Sequence, residues 1–221
     1  MSSADDSGQL LQEHDDTPPI MPERDTSEEG AGNPTEPSEM DDEGSVDENG
    51  VTTLMEAASR NDVKAVKHYI PYQARMVARF VKAGRVEIRE GTALMVAAAL
   101  GHVETVKLLM RCEGGMRDSE EWTALMWAAL VGRTEVVRLL LDVEGGMQKG
   151  GGYTALMLAA GHDHLECVKL LLEKERDISG VDAIHMANRW NHSEVASFLE
   201  SEGIVDPYLQ MQPRKAVSEH A

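Results

Sequence analysis

The chain has 221 residues, a net charge of −18 and 42% hydrophobic residues. This length accommodates one domain with an additional segment, and two cysteines are too few for a disulfide framework. No run has the apolar length of a membrane span, and the N-terminus lacks the basic start and apolar stretch of a signal peptide. We therefore expect a soluble intracellular protein in the cytoplasm, with a nuclear or cytoskeletal location left open.

The acidity of the chain lies at its N-terminus. Residues 1–50 contain 16 acidic residues and one basic residue, Arg24, whereas residues 51–221 contain 23 acidic and 20 basic residues. The first segment has five of the eight prolines and no Phe, Trp or Tyr, so it cannot bury enough apolar surface to offset the entropy lost on ordering. We predict a disordered acidic tail over 1–50. Because nucleic acids require a basic surface, the near-neutral remainder argues against DNA or RNA as partner.

From residue 51 the chain repeats itself. Each unit has a short Ala-rich run, a Gly or Asn break and a second apolar run at helical spacing, which indicates a helix–turn–helix unit. One such unit leaves a face uncovered, so consecutive units must stack. The pattern predicts an all-α solenoid of about five units over 51–201, followed by a C-terminal tail over 202–221. The equivalent starts are Thr52, Thr92, Thr123, Thr154 and Asp182, spaced by 40, 31, 31 and 28 residues.

The motif T-A-L-M-x-A at 92–97, 123–128 and 154–159 resembles the ankyrin-repeat start T-P-L-H-x-A. Ala replaces Pro and Met replaces His; only His185 keeps the family's His. With Glu-Gly-Gly-Met at 113–116 and 144–147, the motif is similar to the expanded ankyrin-repeat proteins of diplomonad parasites, the Protein 21.1 type. The resemblance implies a non-enzymatic protein-binding solenoid. In ankyrin repeats the Thr and His side chains hold the turn, so we expect apolar packing to replace part of these polar contacts here.

The first connection between units is longer than the others. Sixteen residues separate Met76 from the next repeat start, whereas seven separate the equivalent Met116 from Thr123. The nine additional residues lie within 77–90, an insert that is basic. We hypothesise that the acidic tail folds onto this insert and masks part of the binding surface; the alternative is a solvating tail without contacts. The charged residues of the insert are Arg79, Lys82, Arg85, Glu87, Arg89 and Glu90.

The resemblance places a binding surface on the turns between repeats and at the ends of the first helices. Trp122 and Tyr153 directly precede the Thr of their repeats. Aromatic and basic anchors are favoured at interfaces, so we predict one contact row for a protein partner. The alternative is a set of isolated surface residues without a role. Trp127, equivalent to Val96 and Leu158, is expected in the core. The helix-end members of the row are Leu130, Val131, Arg189 and Trp190.

No motif indicates catalysis. The glycines at 150–152 lack the Gly-Lys-Ser/Thr that completes a phosphate-binding loop, and no hydrolase, zinc-protease or kinase motif occurs. His102, His164 and His192 recur once per repeat and are interpreted as turn-stabilising residues. We therefore predict no enzyme activity, no cofactor and no metal site. Two functional classes stay open: an adaptor that binds a protein, and a regulatory or inhibitory subunit whose acidic tail competes for a basic site.

Overall fold

The computed structural model describes residues 43–209, most of which are helical. The predicted acidic tail therefore lies outside the described residues up to position 42, and residues 210–221 lie outside them as well. Within the described range the elements follow in this order: α1 (Thr53–Ser59), α2 (Val63–Gln73), β1 (Ala78–Ala83), β2 (Val86–Gly91), α3 (Ala93–Leu100), α4 (Val103–Glu113), α5 (Ala124–Leu130), α6 (Thr134–Glu144), α7 (Ala155–Gly161), α8 (Leu165–Arg189) and α9 (Ser193–Ser201).

The helices stack in two layers. In the first layer α1 packs on α3, α3 on α5 and α5 on α7; in the second α2 packs on α4, α4 on α6 and α6 on α8. The first helices are rich in alanine and are buried along nearly their whole length, because small side chains let neighbouring helices approach closely. The second helices bury one face, to which Val106 and Leu109 of α4 belong. We call the side of the stack formed by α1, α3, α5, α7 and the C-terminal part of α8 the inner surface.

In the four repeats that start with threonine, this threonine is the N-cap of the first helix. Oγ1 of Thr52 accepts a hydrogen bond from the N–H of Met55 at 3.1 Å, and the equivalent pairs in the next three repeats lie at 3.4–3.5 Å. This cap satisfies an N–H group that has no partner within the helix. The methionines of the motif are buried. The structure confirms that Thr holds the turn and that Met packs in the core.

The insert forms a β hairpin, which corrects the all-α prediction. β1 and β2 are antiparallel, and Val81 lies opposite Ile88. Both side chains are buried against the core, and the hairpin packs on α3. The alternating residues Phe80, Lys82 and Arg89 are exposed. The insert therefore covers part of the inner surface at α3 and displays its basic residues outward.

The predicted turn before the repeat start at Asp182 is absent. α8 continues from Leu165 to Arg189 through this position. Its N-terminal part serves as the second helix of the fourth repeat, and its C-terminal part packs against α9. The last repeat is therefore continuous with the preceding one, which corrects the prediction of separate helix–turn–helix units at this end.

The residues that follow Glu175 differ from those that follow α4 and α6. α6 ends at Glu144, and the second glycine that follows, Gly146, adopts a φ of +82°, a conformation that favours glycine. At the equivalent positions after Glu175 the chain has Arg176 and Asp177, which continue the helix. The absence of glycine does not by itself continue a helix, because α2 ends at Gln73 although Ala74 and Arg75 follow, and Arg75 adopts a φ of +69°.

Short segments cover both ends of the stack. Before α1, the N–H of Ser45 donates to Oγ1 of Thr53 at 2.8 Å. After α9, Ile204 is buried, and Asp206 accepts a hydrogen bond from Nδ2 of Asn188 at 3.0 Å. Both segments are thus hydrogen-bonded to the repeats beside them, and the domain boundaries expected at positions 50 and 202 stay a prediction.

Candidate protein-interaction site

Trp122 and Tyr153 both contact Lys149, on the turns that precede α5 and α7. The Nζ atom of Lys149 lies 4.6 Å from the ring centroid of Trp122 and 5.4 Å from that of Tyr153. Trp122 also stacks on Trp127, with centroids 4.6 Å apart. Trp122 is only 8% exposed, whereas Tyr153 and Lys149 are half-buried. Trp127 is a core residue, as predicted, and Trp122 offers little surface to a partner.

Asp118 fixes this aromatic cluster. Its Oδ2 accepts a hydrogen bond from Nε1 of Trp127 at 3.0 Å, and its Oδ1 accepts from the N–H groups of Trp122 and Glu120, both at 2.9 Å. Burial raises the pKa of Asp118, and these hydrogen bonds oppose the rise. Asp118 was not predicted from the sequence, although an Asp at the start of a Ser-Glu-Glu turn is typical of a side chain that bonds the backbone two residues on.

The other four predicted residues lie at the opposite ends of the first helices. Leu130 and Val131 are half-buried, and Arg189 is exposed. Trp190 is 37% exposed, and the guanidinium carbon of Arg189 lies 5.9 Å from its ring centroid. In repeat position Trp190 is equivalent to Val131 and to His162. These residues therefore line the turns at one edge of the inner surface.

The predicted single row is two groups in the structure. Tyr153 and Trp122 precede the first helices, whereas Leu130 and Trp190 lie at helix ends. A first helix of seven residues, such as α5, separates the groups by about 10 Å along its axis. A partner that contacts both groups must therefore span the length of the first helices. Partner binding by these six residues stays a prediction.

Histidines link the turns of neighbouring repeats. Nε2 of His164 lies 3.0 Å from the carbonyl oxygen of Leu130, and Nε2 of His192 lies 3.0 Å from that of Gly161. His102 makes the same contact to Ser59. Burial lowers the pKa of His164, which favours the neutral ring. These hydrogen bonds confirm the turn-stabilising interpretation and hold the ends of α5 and α7 in place.

Buried glutamates provide a second set of inter-repeat hydrogen bonds. Oε2 of Glu144 accepts from the N–H of Leu125 in its own repeat at 2.6 Å, and Oε1 accepts from the N–H of Gly115 in the preceding turn at 2.9 Å. Glu113 and Glu175 make the same pair of bonds. These polar contacts were not predicted from the sequence, and each carboxylate joins two repeats. Burial raises the pKa of Glu113 and Glu144 despite these hydrogen bonds.

The first repeat has glutamine at the equivalent position, and its surroundings explain the difference. Oε1 of Gln73 accepts from the N–H of Leu54 at 2.8 Å, as the glutamates do in their repeats. Its Nε2 donates to the carbonyl oxygens of Glu43 at 3.0 Å and Ser45 at 3.3 Å. The segment before α1 presents carbonyl groups where a preceding repeat would present an N–H. An amide satisfies that arrangement, and a carboxylate would not.

Among residues 43–209 no group of three His, Cys, Asp or Glu side chains is arranged to hold a metal ion. No helix in this part of the chain is long and apolar enough to cross a membrane. Cys112 and Cys167 are both free thiols, and burial raises the pKa of Cys167.

None of the curated proteins compared with the chain matches it. The family model described as ankyrin repeats (3 copies) matches residues 54–150 and 142–210, which together make up more than half of the chain. These ranges contain the helical repeats, the histidine and glutamate hydrogen bonds and both groups of predicted contact residues. The chain belongs to the ankyrin-repeat family.

Proposed function

We propose that this chain is a scaffold that binds a partner protein through the inner surface, with Trp190 as the principal anchor. Ankyrin repeats are generally protein-interaction modules. The observation that carries the proposal is the exposed pair Arg189–Trp190 at the end of α8. Tryptophan and arginine are the residue types that most often dominate interface energies, because they combine large apolar area with hydrogen-bonding groups.

Rigid support of this pair favours binding. Trp190 ends a helix of 25 residues, and its N–H bonds the carbonyl oxygen of Met186 at 3.0 Å. His192, two residues later, is bonded to Gly161 of the preceding repeat. A side chain held by such a backbone loses less entropy on binding than one on a free loop. Val131 and His162, at equivalent positions of neighbouring repeats, extend the surface toward α5.

The contact group that precedes the first helices provides a second part of the proposed interface. Tyr153 and Lys149 are half-buried, and Lys149 is drawn toward the aromatic rings. This arrangement suits a partner that places a polar or acidic group near the ammonium and an apolar group on the Tyr153 ring. We infer that both groups contact one partner, which spans the inner surface.

The proposal is tested by proximity labelling with the full-length protein in cells of its source organism. Trp190→Ala should reduce labelling of the main partner at least tenfold, because truncation of an interface anchor costs about 2 kcal/mol or more. Tyr72→Ala is the control, since Tyr72 is 52% exposed on α2 in the other layer. An unchanged set of labelled proteins for Trp190→Ala, with unchanged thermal stability, would contradict the proposal.

A regulatory or inhibitory subunit is the second candidate function. The charge division favours it, since residues 1–50 carry 16 acidic residues against one basic residue. Arg79, Lys82 and Arg89 of the hairpin are exposed and offer such a segment a basic surface in cis. A chain that begins at Glu43, and so keeps the hydrogen-bonded segment before α1, should then bind its partner more tightly at low salt than the full-length chain does. Equal affinity of the two chains at low salt would exclude tail masking, and unchanged activity of the bound partner would exclude inhibition.

One further assignment belongs to this proposal. The T-A-L-M-x-A starts and Glu-Gly-Gly-Met closures support placing the chain with proteins similar to the diplomonad Protein 21.1 type.

A further inference from the structure

A groove lies beside the hairpin, between β1 and α1. Its volume is about 320 Å³. Phe80 and Lys82 line one side, and Met55 and Ser59 of α1 line the other. Val51 forms part of the wall where the chain approaches α1. The groove is distinct from the two contact groups described above, which belong to the third to fifth repeats.

The strand that borders this groove has an open edge. Outside the hairpin itself, the described residues make one backbone hydrogen bond to β1, from the N–H of Arg79 to the carbonyl oxygen of Asn49 at 2.7 Å. A two-residue turn connects Ala83 to Val86, and the residues that flank such a turn bond each other. Alternate residues therefore direct their N–H and C=O groups away from β2. These residues are Phe80 and Lys82.

We propose that the groove binds an extended segment of a partner protein, which adds to β1 as a third strand. The hydrogen bond from Arg79 to Asn49 lies outside this alternation, and among the described residues Phe80 and Lys82 have no backbone partner beyond the hairpin. The edge from Phe80 to Ala83 has four residues, so it accommodates a peptide stretch of about 13 Å. Unpaired edge groups supply the main-chain recognition in such complexes, and pockets for alternate side chains supply the specificity.

The walls of the groove define the peptide. Val51, Met55 and Phe80 form an apolar wall, so one side chain of the added strand is apolar. Lys82 and Glu87, which lie opposite each other in the hairpin, place two charges in the lining. A polar residue of the peptide is accommodated there. The charged pair also disfavours indiscriminate pairing of the open edge with other strands.

Lys82→Pro tests the proposal most specifically, because proline removes the outward N–H and leaves the bonds between β1 and β2 in place. The probe is a displayed library of random octapeptides, selected on the full-length protein. Selected peptides should carry an apolar residue within an extended stretch and should bind Lys82→Pro at least tenfold more weakly than wild type. Lys82→Ala, which keeps the N–H and loses the same side chain, should bind them at least threefold more tightly than Lys82→Pro does.

Amide hydrogen exchange on the wild-type protein keeps the test valid if the proline variant fails to fold. The amides of Phe80 and Lys82 should exchange at least tenfold more slowly with peptide bound. Failure to select any peptide, or binding that leaves both amides unprotected, would overturn the proposal. Protection of both amides before peptide is added would also overturn it, because the chain itself would then fill the groove. Trp190→Ala should leave peptide binding unchanged, which separates this site from the proposed scaffold surface.

Discussion

The inner surface differs between its two ends. At α3 the β hairpin packs over the helix, and Val96 is fully buried. At the end of α8, Trp190 is 37% exposed. The repeat of α3 follows the longest spacing between repeat starts, 40 residues, whereas the repeat that contains Trp190 follows the shortest spacing, 28 residues. The additional residues of the first connection form the hairpin on α3, and no such insert precedes the C-terminal part of α8.

The hydrogen bonds between repeats are alike at both ends. The carboxylates of Glu113 and Glu175 each accept from a first helix and from the preceding turn. His102 and His192 each contact a carbonyl group of the preceding repeat. The stacking of repeats is thus held in the same way throughout, and the difference between the ends comes from the connections.

The largest effect is expected from Ile88→Ala, which removes the side chain that holds the hairpin on α3. Ile88 is fully buried, so the change should lower the free energy of unfolding by about 2–5 kcal/mol, as measured by urea denaturation. Phe80→Ala is the control on the same hairpin, since Phe80 is 39% exposed and should cost about 1 kcal/mol or less. Equal losses for the two variants would show that the hairpin is not packed as described.

Exchanging glutamate and glutamine at the buried positions 144 and 73 tests the hydrogen bonds that these side chains make between neighbouring segments. Glu144→Gln presents an NH₂ group to an N–H, and Gln73→Glu presents a carboxylate to two carbonyl groups. Each change leaves a buried polar group without a matching partner and should cost about 1–3 kcal/mol in urea denaturation. Glu135→Gln on the exposed face of α6 is the control and should have little effect. A neutral result for Gln73→Glu would refute the explanation given for glutamine in the first repeat.

Glycines at Arg176 and Asp177 would give the fourth junction the sequence of the earlier ones. The double substitution should lower stability by about 1–2 kcal/mol, because glycine inside a helix costs about 0.5–1 kcal/mol per residue. Helix content from circular dichroism should fall. The double alanine variant also removes the bond from Arg176 to Glu202 but keeps helix propensity, and it separates the two causes. Unchanged helicity with two glycines would indicate that α8 is already interrupted.

The smallest effect concerns pH. Burial raises the pKa of Glu144 above its ordinary value of 4.5, so the folded protein takes up this proton at higher pH than the unfolded chain does. The raised pKa means that protonated Glu144 stabilises the fold. This contribution to the free energy of unfolding is fully present below about pH 4.5, and it is lost as the pH rises through the pKa of Glu144 in the folded protein. The stability of wild type relative to Glu144→Gln should therefore increase as the pH is lowered from about 7 toward 4.5. A difference that decreases over this range would contradict the stated direction.

The repeat core could be predicted from the sequence because its signals are local. Threonines such as Thr92 stand at helix starts, glycine pairs follow α4 and α6, and histidines such as His164 recur at the repeat period. The hairpin also had a local signal, since apolar residues alternate with charged ones around Gly84 in the segment from Val81 to Ile88. The helical periodicity of the flanking repeats gave no indication of this change in pattern.

Other features depend on contacts between distant residues. The exposure of Trp122 could not be judged without its stacking on Trp127 and its bond to Asp118. The role of Glu144 requires a turn 29 residues away and a helix start 19 residues away. Glycine is absent after Glu175, but α2 also ends without one, so the sequence did not distinguish a continuous α8 from a turn before the repeat start at Asp182. Periodicity shows where repeats begin, and stacking decides which residues they expose.

Photo-crosslinking from position 190 tests the central claim most directly. Benzoylphenylalanine is placed at Trp190, at Tyr153 and, as a control on the other layer, at Tyr72, in the full-length protein within cells of its source organism. We expect the same discrete protein to be crosslinked from positions 190 and 153 and not from position 72. Crosslinks to that protein from position 72 alone would contradict binding through the inner surface, and so would the absence of a crosslinked protein from position 190.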